Sequence, residues 1–164
     1  MGPDPRGGQL TWPASTAHRE VAAPADVVWE LVTDWSRHGD WIPLTTMTVE
    51  RDTGGAGTRF TGRSGVGRLA FDDPMEVTSW DPPTPTRAGT AAIDHRGSLV
   101  LGHAEVQVVP LPGDRCRLRW TEDISLVSKK LSRAITLPIA VGGRLAFGST
   151  LKKVAAEAEA RAAR

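Results

Sequence analysis

The chain has 164 residues, with 20 basic against 19 acidic side chains, a net charge of +1, 40% hydrophobic and 24% charged residues. These values fit one folded domain and exclude a disordered chain. So even a charge also excludes the concentrated positive field that nucleic-acid binding requires. The single cysteine, Cys116, excludes an internal disulfide framework and a Cys-rich zinc site, and a reducing cytoplasm is the expected compartment. The longest apolar run, residues 135–141, is too short to span a bilayer, and residues 1–13 lack the apolar core of a secretory signal.

Residues 1–14 are rich in Gly and Pro and read as a mobile arm, leaving one domain over 15–164. Residues 16–23 read as a strand ended by Pro24, which opens a helix over 25–33 with Val27, Val28, Leu31 and Val32 at core spacing. Trp35, Gly39, Trp41 and Pro43 mark a second short helix or turn. From Thr45 the period changes to 2, with Met47 and Val49 alternating with polar residues. Strands follow over 58–64 and 69–80, the second expected to be interrupted at Pro74, at an edge or a bulge. Residues 87–95 and 98–109 read as a hairpin around Arg96-Gly97, and 115–126 as the last strand. Beyond Ser128 the helical period returns. Pro138 and Gly142-Gly143 are expected to break it before a long helix over 144–161 with Leu145, Leu151, Val154, Ala155 and Ala158 on its apolar side. Consecutive strands joined by tight turns must be mostly antiparallel, so the class is α+β.

Alternation assigns faces. On the last strand Leu118, Trp120, Glu122 and Ile124 share the inward parity, while Arg117, Arg119, Thr121 and Asp123 face solvent. Phe60 and Ser64 share one face of their strand, and Phe71, Asp73, Met75 and Val77 share one face of the next. Ala91 and Ile93 point inward across from Val100 and Gly102. A carboxylate among apolar neighbours has a raised pKa unless a cation meets it, so Glu122 reads either as a ligand-contacting or acid group or as a structural carboxylate paired with an arginine. The tryptophans Trp29, Trp35, Trp41, Trp80 and Trp120 read as core or as stacking surfaces for a flat ligand. His95, His103 and Glu105 are too dispersed to demand a metal, so none is expected. Phosphate-binding, dinucleotide and nucleophile-elbow motifs do not occur.

Three stretches carry a family resemblance: HREVAAPADVVWELVTDWSRHGDWIP at 18–43, GTRFTGRSG at 57–65 and RLRWTEDISL at 117–126. With the element order, they resemble the START-like SRPBCC superfamily, and within it the polyketide cyclase/dehydrase and lipid-transport members of bacteria. The resemblance implies a helix-grip fold: a curved antiparallel sheet of about seven strands around a long C-terminal helix, two short helices after the first strand, and an apolar cavity between sheet and helix. It implies no single activity, since members include aromatase/cyclases, lipid and quinone carriers, hormone receptors and hydrolases.

The expected occupant is a hydrophobic small molecule, lipid or polyketide-like, carried or sensed without a cofactor by a monomer or homodimer. Its expected contacts are Trp35, Trp41, Phe60, Phe71, Met75, Val77, Ile93, Leu118, Trp120, Glu122, Ile139 and Phe147. An aromatase/cyclase is the alternative, with Glu122 and Asp73 as proton-transfer candidates. Against it, the chain has no tyrosine, and Arg59 and Arg63 take the parity opposite to Phe60. A protein-interaction module without ligand is a third reading. The basic and apolar residues of 128–153 read as a lid, a transient membrane-surface contact or a packed helix entry.

Overall fold

The computed structural model describes residues 9–11, 14–127 and 133–164, with side chains described over 14–125 and 147–164. The elements are β1 (Gln9–Thr11), β2 (Ser15–Val21), α1 (Ala25–Val32), a 3-10 turn (Trp35–Arg37), α2 (His38–Trp41), β3 (Thr45–Arg51), β4 (Arg59–Ser64), a 3-10 turn (Gly67–Leu69), β5 (Phe71–Asp81), β6 (Gly89–Arg96), β7 (Val100–Leu111), β8 (Arg115–Val127) and α3 (Arg133–Ala162). This is the expected α+β, helix-grip arrangement. β3 to β8 form an antiparallel meander, and β2 closes the sheet against β8, with Val21 opposite Cys116 and Ser15 opposite Glu122.

Three expectations are corrected. Gln9–Thr11, read as part of an arm, pair with Val127, Leu126 and Ser125, so β1 and β2 form one interrupted edge along β8 and the sheet is seven strands wide. β5 is neither interrupted nor an edge strand, because it lies between β4 and β6. Pro74 is tolerated because the β5–β6 ladder begins one residue later, at Met75 opposite His95, while Thr61 pairs with Pro74 on the other side. Finally, α3 runs through Pro138 and Gly142-Gly143 as one helix of 30 residues. In its second turn, Pro138 forfeits only one main-chain hydrogen bond, which the rest of a long helix absorbs.

The space between sheet and helix divides into two halves along the strands. In one, Val77, Ala91, Val106, Val108, Cys116 and Leu118 are fully buried against Val28, Leu31 and Val32 of α1 and Leu151, Val154 and Ala158 of α3. In the other, the inward positions become small or polar: Gly62 on β4, Asp73 on β5, His95 on β6, Ala104 on β7, Glu122 on β8. Aliphatic side chains fill the first half; in the second there is too little side-chain volume to meet the helix.

The outer face is polar. Arg59 pairs with Glu76 and Arg63 with Asp72 directly across strands, and Glu20 receives Arg115 and Arg117. α2 is tied to α3 through Glu157. Its carboxylate accepts from Arg37, from Trp41 Nε1 at 3.1 Å and from Arg161 at 3.0 Å, while Lys153 Nζ donates to the Trp41 carbonyl at 3.3 Å. Burial alone would raise the pKa of Glu157; the hydrogen bonds from Arg37, Trp41 and Arg161 outweigh it and hold the carboxyl below its usual range. A carboxyl so depressed stabilises the fold above its unfolded pKa, and that stability is lost as pH falls through its folded pKa. Glu157→Ala is expected to cost about 1–2 kcal/mol at neutral pH, because it strands the Trp41 indole N–H. In urea titrations the difference between variant and wild type should shrink under acid conditions.

Candidate functional site

The under-filled half of the sheet is a cavity of about 650 Å³. Its walls are mainly apolar: Trp35, Ile42, Met47, Phe60, Phe71, Met75, Ile93, Val100, Trp120, Ile124 and Phe147, with Ala17, Gly62 and Ala104 where the wall recedes. Trp35 stacks flat on Phe60, with centroids 4.8 Å apart and planes 5° from parallel, and Phe147 meets Trp120 edge-on at 5.7 Å. Such ring pairs hold flat apolar surfaces in fixed orientations.

Gly102 pairs with His95 on β6 and Ile124 on β8, with φ of 136°, and a Cβ there would lie 2.1 Å from the Asp123 carbonyl oxygen, against the backbone of the neighbouring strand. The register places Ala104 between Ile93 and Glu122, not Val100 or Gly102 opposite Ile93 as the sequence suggested. On this part of the wall only the small Ala104 separates the inward side chain of Ile93 from that of Glu122.

Across that floor stand the polar groups. His95 Nδ1 is 2.8 Å from Asp73 Oδ2, and both side chains are largely buried. Burial alone would lower the His95 pKa. The Asp73 hydrogen bond and charge, reinforced by Glu122 and Asp94, outweigh it and raise the pKa above its ordinary value. Glu122 borders the cavity but is shielded from bulk water. Burial raises its pKa, the His95 charge pulls it partly back, and the nearby Asp73 pushes it up again. Among the described residues, Asp73 Oδ1, His95 Nε2 and Trp120 Nε1 are buried without a hydrogen-bond partner. Each such atom costs on the order of 1–3 kcal/mol, so three on the inner face mark where the cavity wall is built for more than packing.

Of the residues chosen from sequence, Trp35, Phe60, Phe71, Asp73, Met75, Ile93, Trp120, Glu122 and Phe147 border the cavity. Trp41, Val77 and Leu118 do not. Trp41 turns its indole N–H to Glu157 on α3, and Val77 and Leu118 lie in the filled half against the helices. The side chain of Ile139 lies outside the described residues, as do residues 128–132 and the side chains of 133–143 that would form a lid. Trp29 and Trp80 pack on each other, centroids 5.0 Å apart, away from the cavity.

Two histidines that sequence reasoning did not place at the site border it. His95 shares the inward parity of Ile93, which was the available signal. His38 on α2 packs among Trp35, Trp41 and Trp120, and its Nε2 lies 2.8 Å from the Val32 carbonyl; burial pulls its pKa down to about 4, so it is neutral at physiological pH and donates that bond. His103 instead faces solvent, paired with Asp94 at 2.7 Å. Among the described residues no cluster of three His, Cys, Asp or Glu side chains could hold a metal ion.

Since desolvation and Asp73 oppose each other at His95, Asp73→Asn should leave desolvation with far less opposition and lower the His95 pKa, read from an NMR titration of the imidazole. His95 stabilises the wild type fully below its unfolded pKa of about 6.5, and that contribution is lost as pH rises through its raised folded pKa. The variant should therefore lose its stability deficit in alkaline solution. Separately, Gly102→Ala should cost about 3 kcal/mol in thermal or urea denaturation, from the positive φ and the carbonyl clash together.

No curated protein sequence matches the chain. Solved structures do: the Thermus thermophilus protein TTHA0849 at 16% identity and a TM-score of 0.71, over 91% of this chain and 99% of that one. The Zhui aromatase/cyclase from Streptomyces sp. R1128 matches at 19% identity and a TM-score of 0.65, over 91% of this chain and 94% of that one. Norcoclaurine synthase from Thalictrum flavum matches at 19% identity and 0.58, over 91% of this chain and 96% of that one. At such identities the likeness is one of fold. The family model described as polyketide cyclase/dehydrase and lipid transport matches residues 13–159, nearly the whole chain, and the protein belongs to that family.

Proposed function

We propose that the chain binds a hydrophobic small molecule, lipid or polyketide-like, with its apolar body among the aromatic and methionine side chains and its polar end at Asp73, His95 and Glu122. One observation carries this reading: a 650 Å³ apolar cavity in which the unpartnered buried polar atoms belong to wall residues. Apolar walls with a few placed polar groups are the usual composition of a ligand site. Membership in a family described by both cyclisation and lipid transport supports the ligand class. The proposed compartment is the cytoplasm, on the strength of a lone, buried, unpaired cysteine. No helix among the described residues is long and apolar enough to cross a membrane.

The test is solvent extraction of the purified protein followed by mass spectrometry, with add-back of a hydrophobic library. Ala104→Leu fills the floor between Ile93 and Glu122 and is expected to weaken binding about tenfold or more, as a side chain then occupies ligand volume. Absence of any bound hydrophobic compound in wild type would refute the reading.

The His95–Asp73 pair favours a second reading, acid–base catalysis. Asp73 fixes the proton on Nδ1 and leaves Nε2 to take or give one. Glu122, whose pKa burial raises, would return a proton to an oxygen. On a poly-carbonyl substrate, His95 would remove an α-proton, the enolate carbon would attack a second carbonyl carbon, and the resulting alkoxide would take the Glu122 proton. Deuterium exchange at the α-carbon of 1-tetralone, followed by NMR, isolates the first step. His95→Gln should slow it about 100-fold or more. Wild-type exchange no faster than in buffer would eliminate catalysis and leave binding intact.

A further inference from the structure

Leu44, Val66 and Leu69 protrude from the chain with 68%, 66% and 84% of their surfaces exposed. Apart from Leu101 on β7, at 36%, they are the large hydrophobic side chains in this state among the described residues. They are not scattered. The Gly65 amide donates to the Leu44 carbonyl at 2.9 Å, and the Leu69 amide donates to the Val66 carbonyl at 3.1 Å, so two turns are laced into one tip. Leu44 has φ of 55°, a left-handed conformation that a bulky residue rarely adopts, and it is held there facing solvent.

The tip adjoins the cavity. Leu44 is flanked in sequence by the wall residues Ile42 and Thr45, and the 66–69 turn runs between the wall residues Ser64 and Phe71. Arg68 lies between the two exposed aliphatics of that turn, and no carboxylate among the described residues pairs with it; neighbouring Arg63 is held by Asp72 at 2.8 Å.

We infer that this tip docks the protein on an anionic lipid surface, with Leu44, Val66 and Leu69 entering the acyl boundary and Arg68 at the headgroups. Three side chains fall well short of the roughly 800 Å² per partner that a standard protein interface buries. Insertion into a membrane interface needs only a few aliphatic side chains and a cation beside them. The tip lies apart in sequence from the basic 128–153 segment considered earlier. The inference rests on the reading of the cavity as a site for a hydrophobic molecule, whose natural reservoir is a bilayer.

The experiment is co-sedimentation with vesicles of phosphatidylcholine mixed with phosphatidylglycerol, against vesicles of phosphatidylcholine alone. Wild type should sediment preferentially with the mixed vesicles. Val66→Asp with Leu69→Asp should weaken partitioning at least about tenfold, since two aliphatic side chains no longer enter the lipid. Arg68→Glu should abolish the preference for anionic lipid. Circular dichroism confirms that the variants fold, as none of the three side chains is buried. Titration with 1-anilinonaphthalene-8-sulfonate, counting only the dye that a soluble fatty acid displaces, reports the cavity and should be unchanged in the paired variant. Wild type that stays in the supernatant, or a paired variant that sediments like wild type, overturns the inference. So does a wild-type dimer that the paired variant dissolves, since the tip would then belong to a second copy. Loss of dye binding in wild type would instead strike at the reading of the cavity.

Discussion

The sheet carries too little side-chain volume on half of its inner face to meet the helix it holds. Gly62 and Ala104 stand where other inward positions carry valine, leucine or isoleucine. A closely packed interior would have collapsed such a gap at a gain in dispersion energy. The gap persists because α1 and the filled half, from Val77 to Leu118, brace α3 at one end, and the Glu157 cluster ties α2 to it.

The cavity walls then decide what their polar groups become. In water, Asp73, His95 and Glu122 would be three ordinary ionisable side chains. Placed beside each other behind apolar residues, they are coupled. Asp73 favours a charge on His95, and burial raises the pKa of Glu122. Histidine and glutamic acid are both moved toward their protonated forms, in an environment that is otherwise apolar. The same low polarity makes the orphaned His95 Nε2 and Trp120 Nε1 costly, which is the physical reason to expect partners there.

The two histidines on the cavity show how far position decides character. His95 has a carboxylate at 2.8 Å and is drawn toward its cationic form. His38, wedged among three indoles with only a carbonyl as hydrogen-bond partner, is pushed down to a pKa of about 4 and acts as a neutral spacer between α2 and the Trp35–Phe60 stack. Fold likeness to a cyclase and a synthase does not choose between binding and catalysis; that choice lies with the few polar atoms on this wall.

The sequence by itself determined the element order, the antiparallel class and the inward parity of the strands, because alternation and turn residues are local properties of the chain. That parity put Phe60, Asp73, Met75, Ile93, Trp120 and Glu122 on the right face. Local pattern carries no information about position along the ladder, and this alone separates Val77 and Leu118 in the packed half from Met75 and Glu122 in the hollow half. Nor could it show that Trp41 turns to Glu157, that β1 extends the edge along β8, or that α3 absorbs Pro138, since each depends on a partner distant in sequence. Only the tertiary structure brought His95 against Asp73 and let Ala104 leave the space beside them open, because register across four strands is a property of the whole sheet.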